Sequence, residues 1–280
     1  MLPEGRLIVN GRMLETVEDG WRGRFKAFGL RAEVRLRDAT PATAREALRL
    51  VSEECWRVQA AFSLHGAESL VRAANAGAGG WVPTGREFDR LLDFADTCFR
   101  LSRGRFDISR PIAQRAEAGV PDAGGWSRIE RKRGRLRLPP GLSIDFGAMA
   151  REYALDRALF IARQVHAGDL LLRVGAEAAV EAESVPWRLA TASPDESGPD
   201  AIELLSGAIA TRSAVSRTDS DAADVEPDGS APRAITVVAP QCIQAGMLAT
   251  LALLNGANAE RFLGEQGVRF WCQREGVVTP

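Results

Sequence analysis

The reading turns on Leu142-Ser-Ile-Asp145-Phe-Gly147-Ala148-Met-Ala150-Arg151-Glu152-Tyr153-Ala154-Leu155-Asp156. An apolar strand end runs into Asp145, and a run of small residues at 147, 148 and 150 then opens a helix that continues to Val165. Small side chains at a helix N-terminus let an anionic ligand approach the backbone amides, whose partial positive charge favours phosphate. The same residues equally describe an Asp N-cap on a helix that merely packs tightly. The pattern is neither a G-x-G-x-x-G dinucleotide fingerprint nor a Walker loop.

Outward from this junction, helices and strands alternate. Upstream, Arg31 to Arg37 alternates as a half-buried strand does. A helix from Pro41 then carries Ala44, Ala47, Leu48, Val51, Cys55, Val58 and Phe62 on one face. Ala67 to Ala74 reads as a short helix. Thr84 and Glu87 have capping-box spacing before the stripe Phe88, Leu91, Leu92, Ala95, Cys98 and Phe99. Short strands are expected around Ile129 and Leu136. Within the junction helix, Ala150, Tyr153 or Ala154, Leu155, Ala158 and Ile161 form the expected inner face.

Downstream, strands are expected at Leu170 to Val174, Trp187 to Ala192, Ile202 to Leu205, Ala208 to Thr211, Ala234 to Val238 and Val268 to Cys272. Helices are expected from about Ile243 to Leu254 and from Ala259 to Glu265. Residues 219 to 232 hold five carboxylates and two prolines and read as an acidic loop. The sum is an α+β fold, a single mixed-sheet domain with flanking helices over residues 25 to 280. Residues 1 to 24 form an N-terminal arm or edge hairpin.

Composition excludes several functions. The 280 residues hold 36 basic and 37 acidic side chains, so no net field draws the chain to nucleic acid. All the basic residues except Lys26 and Lys132 are arginine. The longest apolar stretches fall short of the roughly 20 residues that span a bilayer. The N-terminus shows neither a signal peptide nor a lipidated cysteine motif, so a cytoplasmic address is expected. Cys55, Cys98, Cys242 and Cys272 lie far apart, without a C-x-x-C pair, and read as free thiols. With only His65 and His166 as histidines, any metal is expected to be oxygen-ligated.

Taken in order, several motifs resemble the ApbE family, the FAD:protein FMN transferases. The counterparts of its signatures are Phe28-Gly29-Leu30, Ser69 to Asn75, Gly104-Arg105-Phe106-Asp107-Ile-Ser109, Asp145 to Asp156, Ala210-Thr211-Arg212-Ser213, Val225-Glu226-Pro227-Asp228-Gly229 and Ala245-Gly246-Met-Leu-Ala249-Thr250. The resemblance implies an ApbE-like fold that binds FAD and moves FMN onto a Thr or Ser hydroxyl of an acceptor flavoprotein. It also implies Mg²⁺ against the pyrophosphate. By position it gives Phe28, His65, Arg105, Phe106, Asp107, Asp145 and Arg151 as cofactor-binding residues, and Ala148, Gly246 and Thr250 as metal-ligand positions. A cleft between Asp145 and Thr250 would grip the flavin diphosphate.

Several signature residues are replaced. Gly246 stands where the family carries a metal-binding Asp, and Lys-Gly of the junction is Arg151-Glu152. The second Gly of that motif is Ala148, the His-x-x-Asp-Pro loop has lost its His, and Met-Gly-Thr has lost both Met and Thr. Asp224, Glu226 or Asp228 on the acidic loop would restore the missing carboxylate, or that loop is solvated surface. If the site has decayed instead, the chain is a flavin- or nucleotide-binding relative acting through a partner, or a fold relic. His65 would stack on the flavin or sit at a surface turn. Trp81, Trp126 and Trp187 would border the isoalloxazine or pack. Thr250 would ligate a cation or bond back into its own helix.

Overall fold

The computed structural model describes residues 6–64, 66–109, 125–190, 201–213 and 231–274. His65 and the acidic-loop candidates Asp224, Glu226 and Asp228 lie outside them. Among the described residues, nine strands form one sheet in which every pairing is antiparallel. From one edge they are β1 (Arg6–Val9), β2 (Arg12–Val17), β3 (Gly20–Ala27), β4 (Leu30–Leu36), β8 (Leu170–Val174), β9 (Glu177–Glu181), β12 (Ser206–Ser213), β13 (Ala234–Ala239) and β14 (Arg269–Gln273). Strands β10 (Trp187–Ala190) and β11 (Ala201–Leu204) form a separate hairpin, and β5 (Trp81–Pro83), β7 (Arg135–Arg137) and β6 (Glu130–Lys132) a small third sheet. The edge-hairpin option for residues 1–24 matches β1 and β2, and β3 carries the same sheet on to β4.

The central strands are apolar on both faces because both faces are covered. Leu170, Leu172 and Val174 of β8 point into the main core, while Leu171 points into a second cluster with Val180, Trp187, Leu189, Ile202, Leu204 and Ile209. The helix layer includes α1 (Pro41–Phe62), α4 (Gly147–Ala162) and α5 (Cys242–Leu254); the β10–β11 hairpin covers the opposite face. A strand buried on both sides loses the alternation that marks a half-exposed one. Strand β9 (EAAVE), short and flanked by charge, offered too weak a pattern to be expected.

Around these layers, α2 (Leu70–Ala76) is capped by Ser69, α3 (Arg86–Leu101) meets the C-terminal part of α1 through Glu87 and Phe88, and α6 (Ala259–Glu265) follows α5. The expected Thr84–Glu87 capping box is not formed. The N-cap of α3 is Gly85 with no side-chain bond, because Thr84 Oγ1 donates to Asp89 Oδ1 and Glu87 is engaged elsewhere. Arg57 and the Tyr153 hydroxyl both donate to Glu87, joining α1, α3 and α4.

All three tryptophans weighed as flavin neighbours have packing partners. The Trp126 ring nitrogen donates to Asp96 Oδ1 at 2.8 Å. Trp81 carries Lys132 over its ring at 4.5 Å. The Arg37 guanidinium lies 3.7 Å from the Trp187 ring centre and bonds Asp169 and the Val185 carbonyl, tying the β10–β11 side to β4. Cys55, Cys98 and Cys242 are buried free thiols.

Helices α4 and α5 are alanine-rich and buried around most of their circumference, which lets both press on the sheet. Their mutual placement is fixed by Asp156, whose two oxygens accept the backbone N–H groups of Cys242 (2.7 Å) and Ile243 (2.9 Å) at the first turn of α5. An α4 carboxylate thus caps α5. Burial, reinforced by the nearby Glu152 charge, nevertheless lifts Asp156 to about 6, against these two opposing bonds.

A carboxyl whose folded-state pKa lies above its unfolded value of 3.8 favours the folded protein most when protonated. That contribution falls away as pH rises from about 4 to about 6, with an upper bound on the order of 3 kcal/mol. Asp156→Asn is therefore expected to flatten this part of the stability profile, so that the wild-type advantage over the variant shrinks as pH rises. Parallel wild-type and Asn curves in urea denaturation across this range would remove Asp156 as the source.

Candidate functional site

Asp145 sits just ahead of α4. The Asp145 N–H donates to the Ile108 carbonyl at 2.8 Å, and the Ile144 main chain is held on both sides by the Asn75 amide. These contacts bring three collinear motifs together: the end of Ser69–Asn75, the Phe106–Ser109 turn and the Asp145 junction. Asp145 Oδ1 accepts the Gly147 N–H at 2.8 Å, but the N-cap position itself falls on Phe146, which makes no side-chain cap bond, so Asp145 stands one residue outside the expected N-cap. A Cβ on Gly147 would lie 3.2 Å from that oxygen, which accounts for glycine there.

The Phe106–Asp107 turn carries several hydrogen bonds of its own. Phe106 is buried and its N–H donates to Ser102 Oγ. Asp107, also buried, accepts from the Ser109 N–H and hydroxyl and from the Trp126 N–H. Phe28 and Gly29 turn β3 into β4 with φ of 53° and 73°, and the Phe28 N–H donates to Gln59 of α1. A two-residue hairpin with both φ values positive is the primed turn that strand twist favours. Arg105 reaches Asn255 Oδ1 at 2.8 Å and lines a cavity of about 290 Å³ with Arg103, Asn258, Arg261 and Phe262. Neither Asp107, Asp145 nor Arg151 lines that cavity.

Arg151 faces inward. Its guanidinium contacts Glu177 Oε1 at 3.1 Å and Glu152 Oε1 at 3.4 Å. Arg212, which follows Thr211 on β12, bonds Oε1 of both glutamates. All four side chains are buried, Glu152 and Glu177 almost completely. Desolvation raises Glu177 above the usual carboxylate range against the opposing attraction of Arg212. Glu152 was legible as a departure from the family pattern; Arg212 lay within a counterpart motif without being singled out, and Glu177, a lone charge opening an apolar strand, was not legible.

The three positions expected to hold the cation offer it no carboxylate. Gly246 has no side chain, and a Cβ placed there would come within 2.8 Å of Glu152 Cγ and 3.1 Å of its Cδ. Glu152 thus fills, from α4, the volume an α5 side chain would need. The Thr250 hydroxyl donates to the Gly246 carbonyl at 2.9 Å, inside its own helix. Ala148 is buried and offers no side-chain ligand. Mg²⁺ ordinarily relies on one or two carboxylates beside phosphate oxygens. Among the described residues, no group of three or more His, Cys, Asp or Glu is arranged to hold a metal ion.

The ApbE family model matches residues 28–270, and the chain belongs to the ApbE family. Three solved structures share its fold. The flavinyl transferase ApbE of Pseudomonas stutzeri, in its apo form, is 19% identical, with a TM-score of 0.74 over 96% of this chain and 95% of its own. The ApbE protein of Thermotoga maritima is 21% identical, with a TM-score of 0.73 over 90% and 94%. The flavin transferase ApbE of Vibrio cholerae is 15% identical, with a TM-score of 0.71 over 90% and 93%. No curated protein is significantly similar to the chain. No described helix is long and apolar enough to cross a membrane.

The fit of Glu152 against Gly246 is directly testable. Gly246→Ala forces a methyl against a stem whose carboxylate is pinned by Arg212, and overpacking of this kind costs about 1–3 kcal/mol. In a Glu152→Gly background the same substitution is expected to cost little. Urea denaturation of the four proteins in this double-mutant cycle gives the coupling. A Gly246→Ala penalty of equal size in both backgrounds would separate the two positions.

Proposed function

We propose that this protein is an ApbE-type flavin transferase that moves FMN from FAD to a Thr or Ser hydroxyl of an acceptor flavoprotein. Membership of the family over residues 28–270 is the observation that carries the reading. The meeting of the Asn75, Ile108 and Asp145 segments supports it, because collinear motifs are drawn to one place in the fold. In the transfer, the acceptor oxygen attacks the FMN phosphorus, the pyrophosphate P–O bond breaks, AMP leaves, and the hydroxyl proton is lost to base or solvent.

The chain's contribution is positional. Asp145 holds the start of α4 through the Gly147 N–H, and the first turn carries small side chains at 147, 148 and 150. Positions 148, 246 and 250 supply no anionic oxygen, so no step is assigned to Mg²⁺.

The ion cluster between α4, β9 and β12 favours one alternative, a flavin-binding relative without transfer activity, because it fills the volume beside Gly246. Incubation with FAD and an acceptor flavoprotein, followed by intact-mass measurement of the acceptor, separates the two. Transfer adds an FMN group to the acceptor. Asp145→Ala is expected to lower the rate by about ten-fold or more while the protein stays folded. An acceptor of unchanged mass, under conditions where an authentic transferase modifies it, overturns the proposal. FAD binding without transfer would then identify the alternative.

A further inference from the structure

Between α4, β9 and β12, four charged side chains of the described residues meet. Glu152 and Glu177 are at most 2% exposed, and Arg212 stands between them with its Nη atoms on Oε1 of each. Arg151 contacts the same two oxygens from the other side. Among the described residues, two carboxylates here meet two guanidiniums. An unbalanced pair of buried carboxylates would be costly to ionise. Oε2 of each glutamate is buried without a hydrogen-bond partner among the described residues. Two hard oxygens are therefore present, but a divalent cation reaching them would bring two more positive charges into a space already holding two.

We propose that the Arg212 guanidinium is the resident cation of this pocket and that it excludes divalent metal from it. The absent side chain at Gly246 is the steric half of the arrangement, since it admits the Glu152 stem that carries the carboxylate to Arg212. Arg212 acts here as a positioning residue, holding Oε1 of both glutamates in place. The proposal deepens the reading of the site as a flavin-transferase pocket, and rests on it only for the identity of the pocket.

The test uses full-length, metal-stripped protein without FAD or acceptor, so a failure of the transfer reading leaves it intact. Binding of Mn²⁺ is read from loss of the free-ion electron paramagnetic resonance signal, and separately from the melting temperature with and without Mn²⁺. Wild type is expected to show no saturable binding at millimolar Mn²⁺. Arg212→Gln and Arg212→Met, which remove the charge, are expected to gain saturable binding, tightened on the order of ten-fold or more. That gain should disappear when Glu177→Gln is added. Arg212→Lys, which keeps the charge, is expected to resemble wild type.

Saturable wild-type binding that Glu152→Gln abolishes overturns the proposal. So do folded Gln and Met variants that remain blind to Mn²⁺. Should both neutral variants fail to fold, the wild-type measurement decides alone: saturable binding lost in Glu152→Gln refutes the proposal, and its absence upholds it.

Discussion

Everything at the centre of this protein depends on α4 being buried on nearly all sides while carrying two adjacent charges, Arg151 and Glu152, in its buried face. A helix so enclosed cannot turn either side chain to water. The surrounding elements must therefore supply opposite charges, and they do so with Glu177 of β9 and Arg212 of β12. Breaking one member would strand a buried charge, a change that typically costs several kcal/mol. Replacing the whole set with well-packed apolar residues need not be costly, so the cluster specifies an arrangement more than it supplies stability.

That constraint explains why the replaced signature positions belong together. Taken singly, a glycine at 246 is a lost ligand and a glutamate at 152 is an unwelcome charge near a phosphate. In space they are one change seen from two helices. Glu152 reaches from α4 into the volume that a side chain at position 246 of α5 would occupy. Arg212, in the β12 motif, supplies the positive charge that this carboxylate requires. Asp156 makes the fit possible by fixing where α5 begins, one turn before Gly246.

The sequence made the long elements legible because their periodicity is strong. The α1 stripe from Ala44 to Phe62 is buried as expected, and Leu170–Val174 is the strand its apolar run describes. The α3 cap was misread because Thr84 and Glu87 each have a better partner across space, and spacing alone carries no information about Asp89, Arg57 or Tyr153. At the site, the motifs around Asn75, Asp107 and Asp145 were recognisable by order, and the fold brings them together. The inner face of α4 was only half legible: Ala150, Ala154, Leu155 and Ala158 are buried, but so are Arg151 and Glu152, which a hydrophobic pattern assigns to solvent. Glu177 was invisible because its significance lies wholly in what faces it.

The position of Arg105 bears on how far family positions can be carried over residue by residue. Its neighbours Phe106 and Asp107 are buried in a turn that needs them for its own hydrogen bonds, and this holds whatever ligand is bound. Arg105 is exposed and turned toward Asn255 at the C-terminal end of α5, beside Arg103 and Arg261. A motif can thus survive for the turn it builds while one member faces another cavity. Asp145 takes up the Gly147 N–H and places its negative charge at the start of α4. Persistence of Asp145 is therefore compatible with a working site and with a merely well-anchored helix, whereas the cluster around Arg212 has no such local duty. Only contacts across α4, β9 and β12 account for it, which makes it the more informative feature of this chain's own chemistry.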